Sequence, residues 1–184
     1  MLKFTKSRGY SNKDVQVFVG EIINYINVNY LNISQDYSYV ISINSPNLLS
    51  TTYDYRTEAY IGLHFDNFTH PPVNKRSLAP VRVAINLGDE DRYFVYINLT
   101  LIEIFDILEI PHSQESYQKF VFASSLANSF MKKFPCYPVI KLRLKPGQGY
   151  IAPTQNIIHD GYTLGTSDLD INLMLRAFCS PLQQ

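Results

Sequence analysis

The sequence predicts a mainly β fold, a β-sandwich or jelly roll, with helices packed outside it. Short alternating stretches outnumber helical ones along the 184 residues, and short turns rich in Gly or Pro join many of them. Helices are predicted in two places only, at the start of the chain and in an insertion at about 101–134. Because no repeat or Gly/Ser linker divides the sequence, residues 1–184 are predicted to form a single domain.

The first predicted element is an amphipathic helix from about Asn12 to Tyr30, whose apolar residues recur at steps of three and four after a cap at Ser11. Alternating stretches then predict strands at 37–43, 58–65, 81–87, 92–98, 139–144, 149–152 and 169–178. The polar segment 88–91 fits a hairpin turn between two of them. Helical periodicity occupies 101–109 and 113–134, which Pro111 and Pro135 bring to an end.

The predicted strands have one apolar and one polar face. Near residue 60 the polar face carries Tyr60, His64 and Asp66, and in the last strand it carries Met174 and Arg176. These faces either meet water, as in an ordinary half-buried sheet, or point into the mouth of a barrel whose apolar backs the helices cover. Alternation alone leaves both interpretations open.

Composition excludes several function classes. Basic and acidic residues number 16 each, which removes the positive footprint of a nucleic-acid binder or a polybasic membrane-surface protein. No apolar run approaches the roughly 18 residues of a membrane span, and the first residues lack a signal-peptide pattern. The two cysteines show no CxxC spacing. We therefore expect a cytoplasmic protein with no nucleic-acid and no membrane partner.

A candidate metal site begins at His64 and Asp66, which an extended strand places on the same side. His159 lies just before Gly161, so a turn could return a second imidazole to the same place. Arg176 stands between apolar residues of the last strand, where a guanidinium is costly to bury without an anion.

The anion that pairs with Arg176 has two interpretations. It is either a carboxylate of the chain, Asp170 or Glu58, or a carboxylate ligand held by the fork of the guanidinium.

The order His-x-Asp, distal His and then Arg in an all-β context resembles the iron(II)- and 2-oxoglutarate-dependent oxygenases, over about 59–178. The resemblance implies a small stand-alone member of bacterial type, with a cupin-like double-stranded β-helix, an N-terminal helix and the helical insertion at about 101–134. It implies His64, Asp66 and His159 as catalytic iron(II) ligands, and Arg176 as the partner of the distal carboxylate of 2-oxoglutarate. O2 is the other cosubstrate that it implies.

Five further residues are weaker candidates for the same site. Arg82 and Asn86 share one strand face and are predicted to touch 2-oxoglutarate or substrate, with an ion pair or amide network as the structural alternative. Tyr60 and Met174 are candidates to line a substrate pocket, and His70 to lie at its entrance; ordinary core roles and a solvent-exposed loop are the alternatives.

The predicted function is the oxidation, above all hydroxylation, of a C–H bond in a small molecule, amino acid or peptide, with decarboxylation of 2-oxoglutarate to succinate and CO2. Asp66 favours this outcome because the halogenating members of the family lack that carboxylate. Two alternatives remain: a cupin-like zinc or manganese hydrolase or isomerase, which has no need of Arg176, and a metal-free jelly-roll binding protein, which has no need of His64.

Overall fold

A computed structural model of the protein describes residues 12–120 and 124–182. Its strands contain more residues than its helices, so the fold is mainly β, as predicted. The helices are α1 (Asn12–Asn29), α2 (Leu101–Ile107), α3 (Gln114–Lys119) and α4 (Ser125–Lys133), with a 3-10 helix at Val73–Leu78. The strands are β1 (Leu31–Asn44), β2 (Tyr53–Asp54), β3 (Ala59–Tyr60), β4 (Val81–Asn86), β5 (Arg92–Thr100), β6 (Ile140–Leu144), β7 (Gly149–Ala152), β8 (Ile157–Tyr162) and β9 (Asp170–Pro181).

Two antiparallel sheets hold most of these strands. The first has the order β1-β9-β4-β7 and the second the order β6-β5-β8, while β2 and β3 form a short separate hairpin. An isolated antiparallel bridge joins His64 to His159 of β8 and so adds one position beside the second sheet. The two sheets do not close into one continuous barrel sheet.

Helix α1 covers the apolar back of the first sheet. Val19 of the helix is buried in a cluster with Val83 of β4 and Leu173 of β9. Because successive strand residues point to opposite faces, the polar faces of β4 and β9 turn away from the helix. There Arg82 and Met174 line a cavity. For these two strands the polar faces point to a cavity rather than to open water, although the sheets do not close into a barrel.

The helical insertion covers the outer face of the second sheet. Thr100 caps α2 in a capping box: its hydroxyl accepts from the backbone N–H of Glu103, and the Glu103 carboxylate accepts from the Thr100 N–H. The insertion therefore hides apolar strand surface that would otherwise face water. Its buried cluster contains Phe65, Val73, Ile97, Leu101, Ile104, Phe105, Tyr117, Leu126, Ala127, Phe130 and Ile158.

Three expected local elements are wrong. The turn 88–91 does not close a hairpin, because β4 pairs with β7 and β9 in one sheet while β5 pairs with β6 and β8 in the other. The predicted strand 58–65 reduces to β3 and the bridge at His64, since Glu58 and Gly62 adopt positive φ angles of 51° and 69° that interrupt extended backbone. The segment 113–134 is not one helix, because α3 ends at Lys119 with Phe120 as its C-cap.

Two other expectations concern residues that the structure does not describe. These are the helix cap at Ser11 and the part of the predicted helix at 121–123. Within 12–120 and 124–182, no helix is long and apolar enough to cross a membrane.

Candidate metal centre and cavity

A cavity of about 420 Å³ lies between the inner faces of the two sheets. Both sheets contribute to it, and so do the β2–β3 hairpin and the segment that carries His64. The described lining residues are Ser42, Asn44, Thr51, Thr52, Tyr53, Tyr55, Ile61, His64, Phe65, Asp66, Asn67, Phe68, Arg82, Arg92, Tyr150, His159, Gly161, Asn172 and Met174.

Backbone hydrogen bonds bring His64, Asp66 and His159 together. The N–H of His64 donates to the carbonyl of His159 at 3.0 Å, and the N–H of His159 donates back to the carbonyl of His64 at 2.7 Å. The N–H of Asp66 donates to the carbonyl of Thr154 at 2.9 Å. The two segments are 95 positions apart in sequence (159 minus 64), so the main chain rather than local spacing assembles the cluster.

The three side chains converge on one buried point. Asp66 lies 3.9 Å from Nε2 of His64 through Oδ1 and 3.8 Å from Nε2 of His159 through Oδ2. One ligand atom from each residue lies within 4.8 Å of the others. All three residues are buried, at 3%, 6% and 2% relative exposure for His64, Asp66 and His159.

Hydrogen bonds to the main chain fix the tautomer of both imidazoles. Nδ1 of His64 lies 2.8 Å from the carbonyl oxygen of Gly62, and Nδ1 of His159 lies 3.2 Å from that of Ile157. A carbonyl oxygen only accepts, so each Nδ1 carries the proton and each Nε2 presents a lone pair to the cluster. Nε2 of His159 is buried without a hydrogen-bond partner, which is the state of a donor atom prepared for a metal ion.

The electrostatics of the cluster favour an ionised Asp66 carboxylate beside a neutral His159 imidazole. Burial opposes ionisation of Asp66, but nearby charge, chiefly that of Arg82, outweighs it and holds the pKa of that carboxyl below its ordinary value. Burial lowers the pKa of His159 to about 3, against the attraction of Asp66. At neutral pH these two groups are therefore in the proton states that bind a cation.

Two neutral imidazoles and one carboxylate form a donor set that could hold a divalent cation on one face. This set leaves open positions and is the set expected for non-haem iron(II). The unpartnered Nε2 of His159 and the short distances to Asp66 show that the residues present fit such an ion. The structure brings together all three metal-site candidates expected from the sequence.

The three candidates for cofactor contact lie in different environments. Arg82 lines the cavity and pairs with Asp66 at 2.7 Å. The Arg176 guanidinium lies 3.9 Å from the ring centroid of Phe68 and is not among the described lining residues. Asn86 is also not among them: its amide nitrogen donates to the carbonyls of Glu90 and Leu144 and its oxygen accepts from the Gly88 N–H. The structure thus gives Asn86 a role in the β4–β5 turn.

The three candidates for substrate contact also separate. Met174 lines the cavity. Tyr60 is half exposed outside the described lining set and packs edge-on against Tyr53, which does line the cavity, with 5.1 Å between ring centroids. His70 is exposed in a loop, where its Nδ1 lies 3.0 Å from the amide nitrogen of Asn67.

Sequence reasoning missed Arg76, the largest fully buried side chain described. Its Nη1 donates to the carbonyls of Asp66 and Gln155 at 2.8 and 3.1 Å, and its Nη2 donates to Oδ1 of Asn67 at 2.7 Å. Arg76 therefore ties the segment of Asp66 to the segment that precedes β8. No alternation marks it, because it lies in a 3-10 helix.

Sequence reasoning also missed Arg92, which is 5% exposed and lines the cavity. Its Nε lies 2.9 Å from Oδ1 of Asp170, whose other oxygen accepts from the Asn44 amide at 2.9 Å. A Cβ built on Gly161 would stand 3.0 Å from Nη2 of Arg92, so the absence of a side chain there leaves room for the guanidinium. The sequence signal that could have led to Arg92 is the polar face of β9, which starts at its ion-pair partner Asp170.

The chain matches no protein-family model, no curated protein and no solved structure.

Proposed function

We propose that the protein is an iron(II)- and 2-oxoglutarate-dependent oxygenase that hydroxylates a C–H bond of a small molecule, amino acid or peptide. The observation that carries the proposal is the buried cluster of His64, Asp66 and His159 at the wall of a cavity that also contains a buried arginine. When bound there, iron(II) with 2-oxoglutarate and O2 would supply the oxidising chemistry, and the oxoacid would leave as succinate and CO2.

The strand order supports a double-stranded β-helix as the scaffold. The first sheet, β1-β9-β4-β7, faces the second, β6-β5-β8, and the bridge at His64 supplies a fourth position beside β8. All the pairings are antiparallel, and successive strands from β4 to β9 alternate between the sheets in the way a jelly roll requires, apart from the pair β5 and β6. In this scaffold the cluster lies at the second sheet and the cavity lies between the two sheets.

Arg92 is the residue that we assign to the distal carboxylate of 2-oxoglutarate, in place of the Arg176 expected from the sequence. Tyr96 of β5 is level with His159, and Arg92 lies four residues back along the same strand, roughly 13 Å of extended chain. Arg92 and the His64, Asp66 and His159 cluster line the same cavity of about 420 Å³, which has room for a small diacid. Asp170 contacts this guanidinium and is itself held by the Asn44 amide.

The chain's own residues perform three tasks in this proposal. The carbonyls of Gly62 and Ile157 accept from Nδ1 of the two histidines, which selects the tautomer that turns Nε2 toward the cation. Arg76 fixes the backbone of Asp66. Phe65 and the apolar core behind it shield one side of the candidate metal site from water. This shielding strengthens the electrostatic interactions within the site.

The test is anaerobic addition of iron(II) and then 2-oxoglutarate to the purified protein, with the visible metal-to-ligand charge-transfer band as the readout. We expect a band in the wild type, none in His159→Ala, and an unchanged band in His112→Ala, whose imidazole is exposed and pairs with Asp106. Arg92→Gln should raise the 2-oxoglutarate concentration needed for half-saturation more than Arg176→Gln does.

Absence of the band in wild-type protein that holds one iron per chain would overturn the proposal. Metal analysis would then separate a zinc or manganese enzyme from a metal-free binding protein. The thermal unfolding midpoint of each variant shows whether it has folded.

A further inference from the structure

Two arginines meet beside Phe68, a residue that lines the cavity together with Arg82. Arg82 of β4 and Arg176 of β9 are direct partners in the antiparallel register of the first sheet. Their guanidinium carbons lie 5.6 and 3.9 Å from the centroid of one ring, that of Phe68. Two like charges on opposed positions of neighbouring strands repel each other unless an anion lies between them.

The described part of the chain provides one carboxylate for this arginine pair. Asp66 pairs with Arg82 at 2.7 Å, and no carboxylate in residues 12–120 and 124–182 pairs with Arg176. The Arg82 side chain is only 14% exposed, and its Nε is buried without a hydrogen-bond partner. A buried donor of this kind is costly to leave unsatisfied.

Metal binding would take that one carboxylate away from the arginine pair. Oδ2 of Asp66 is both the atom that Arg82 contacts and the atom that faces His159 across the cluster. A cation held by Asp66 and His159 therefore competes with Arg82 for the same oxygen, and the guanidinium is released toward the cavity that it already lines.

The charge balance of the occupied site then requires one more anion. With iron(II) bound, the cluster carries one net positive charge, the arginine pair carries two, and Arg92 is balanced by Asp170. The two negative charges of 2-oxoglutarate leave a single positive charge beside two arginines that are partly buried, where an uncompensated charge is costly. A ligand with one carboxylate completes the balance.

We propose that Arg82 and Arg176 bind a carboxylate group of the substrate, so that the enzyme acts on a carboxylic acid. This inference rests on the proposed function for the identity of the reaction. The parallel N–H donors of a guanidinium match a carboxylate in a planar fork, and both guanidiniums lie near the ring of Phe68. The loop that carries Phe68 is itself fixed, because the N–H and hydroxyl of Thr69 donate to the side-chain oxygen of Gln155.

The test uses zinc(II)-loaded protein saturated with 2-oxoglutarate, in which no turnover occurs. The probes are para-fluorobenzoate and its uncharged amide, para-fluorobenzamide, with binding followed by fluorine NMR. We expect the acid to bind at least tenfold more tightly than the amide. Arg176→Gln should abolish this preference and Arg176→Lys should keep part of it. Arg143→Gln, which removes an exposed guanidinium on β6, should leave it unchanged.

Metal removal supplies a second measurement. We expect the acid to bind at least several-fold more weakly to metal-free protein, because Arg82 returns to Asp66, and we expect this metal dependence to vanish in Arg82→Gln. Three results would overturn the proposal: equal binding of acid and amide, no effect of Arg176→Gln, or acid binding to zinc-loaded protein without 2-oxoglutarate that is lost in protein saturated with it, which would assign the pair to the cosubstrate.

The outcomes separate this inference from the proposed function. If the iron(II) band is absent but acid binding to zinc-loaded protein depends on Arg176, the carboxylate site stands and the oxygenase assignment falls. If the band is present but acid and amide bind alike, the oxygenase assignment stands and the carboxylate site falls.

Discussion

Nη2 of Arg82 lies 2.7 Å from Oδ2 of Asp66, so a fixed cation already contacts the carboxylate that a metal ion would use. The same ion pair is a main reason why the pKa of Asp66 stays below its ordinary value in a buried site. Arg82 thus keeps Asp66 ionised before metal arrives and opposes the metal once it binds.

Arg82→Gln is expected to tighten zinc(II) binding at least about tenfold, or about 1.4 kcal/mol, because a competing positive charge is removed from the cluster. Competition with a chromophoric chelator at neutral pH measures the affinity. Arg143→Gln, at the exposed pair with Asp91, is the matched control. An affinity in Arg82→Gln equal to or below that of the wild type would contradict this expectation.

Arg76→Met is expected to lower the free energy of unfolding by about 3 kcal/mol or more, because it leaves buried carbonyls of Asp66 and Gln155 without their charged donor. Arg76→Lys should cost less, since it keeps a charge and one donor. Urea unfolding measures both variants, and Arg143→Met should change stability by less than about 0.5 kcal/mol. Metal affinity should fall in parallel with stability if Arg76 positions Asp66, and stay constant if it does not.

Gly161→Ala is expected to destabilise the protein by about 1–3 kcal/mol, because its Cβ would lie 2.0 Å from Oγ1 of Thr51. Adding Thr51→Ala removes that oxygen and should recover part of the loss. Binding of 2-oxoglutarate to the double variant should remain weakened, since the new Cβ would still stand 3.0 Å from Nη2 of Arg92. Thermal unfolding and the charge-transfer titration separate the two effects. Full recovery of both would show that Arg92 needs no room at this position.

Metal-free protein is expected to lose stability as pH falls from about 6.5 to about 3. The pKa of His159 is lowered to about 3 by burial, so over this window the unfolded chain binds a proton that the folded chain does not. The slope approaches about 1.4 kcal/mol per pH unit for one such group. Urea unfolding of wild type and His159→Gln in chelator at several pH values measures it.

The difference between these two proteins reports His159 together with its effect on Asp66, because His159 helps to lower the pKa of that carboxyl. Burial raises the pKa of Asp160, which acts in the opposite direction but is present in both. A pH dependence that is equal in wild type and His159→Gln would show that His159 titrates as it does in water.

Much of the chain follows directly from local pattern. Periodicity predicted α1, and alternation predicted β4 and β9 with their polar faces, because each depends on burial of one face of a regular element. The i, i+2 spacing placed His64 beside Asp66 even though the strand expected there is interrupted at Gly62. The expected insertion at about 101–134 contains α2, α3 and α4.

What local pattern missed depends on contacts between distant segments. The turn 88–91 has the composition of a hairpin, yet it carries the chain from one sheet to the other, and no local signal distinguishes these two uses. Arg76 and Arg92 are buried because carbonyls near Asp66 and Gln155 and the carboxylate of Asp170 compensate them. Such partners become visible only when the chain is folded.

The sequence by itself determined the mainly β class and the regions that hold the helices, since periodicity encodes both, and the i, i+2 spacing placed His64 beside Asp66. It named His159 as a candidate, but backbone contacts between distant segments bring that residue to the other two. Only the tertiary structure decided which of the arginines reach the cavity. A strand position fixes the face on which a guanidinium lies, but its level relative to His159 depends on the pairing register of β4, β5, β8 and β9. That register puts Arg92 of β5 and Arg82 of β4 on opposite sheets that line the cavity, and it sets Arg176 directly beside Arg82.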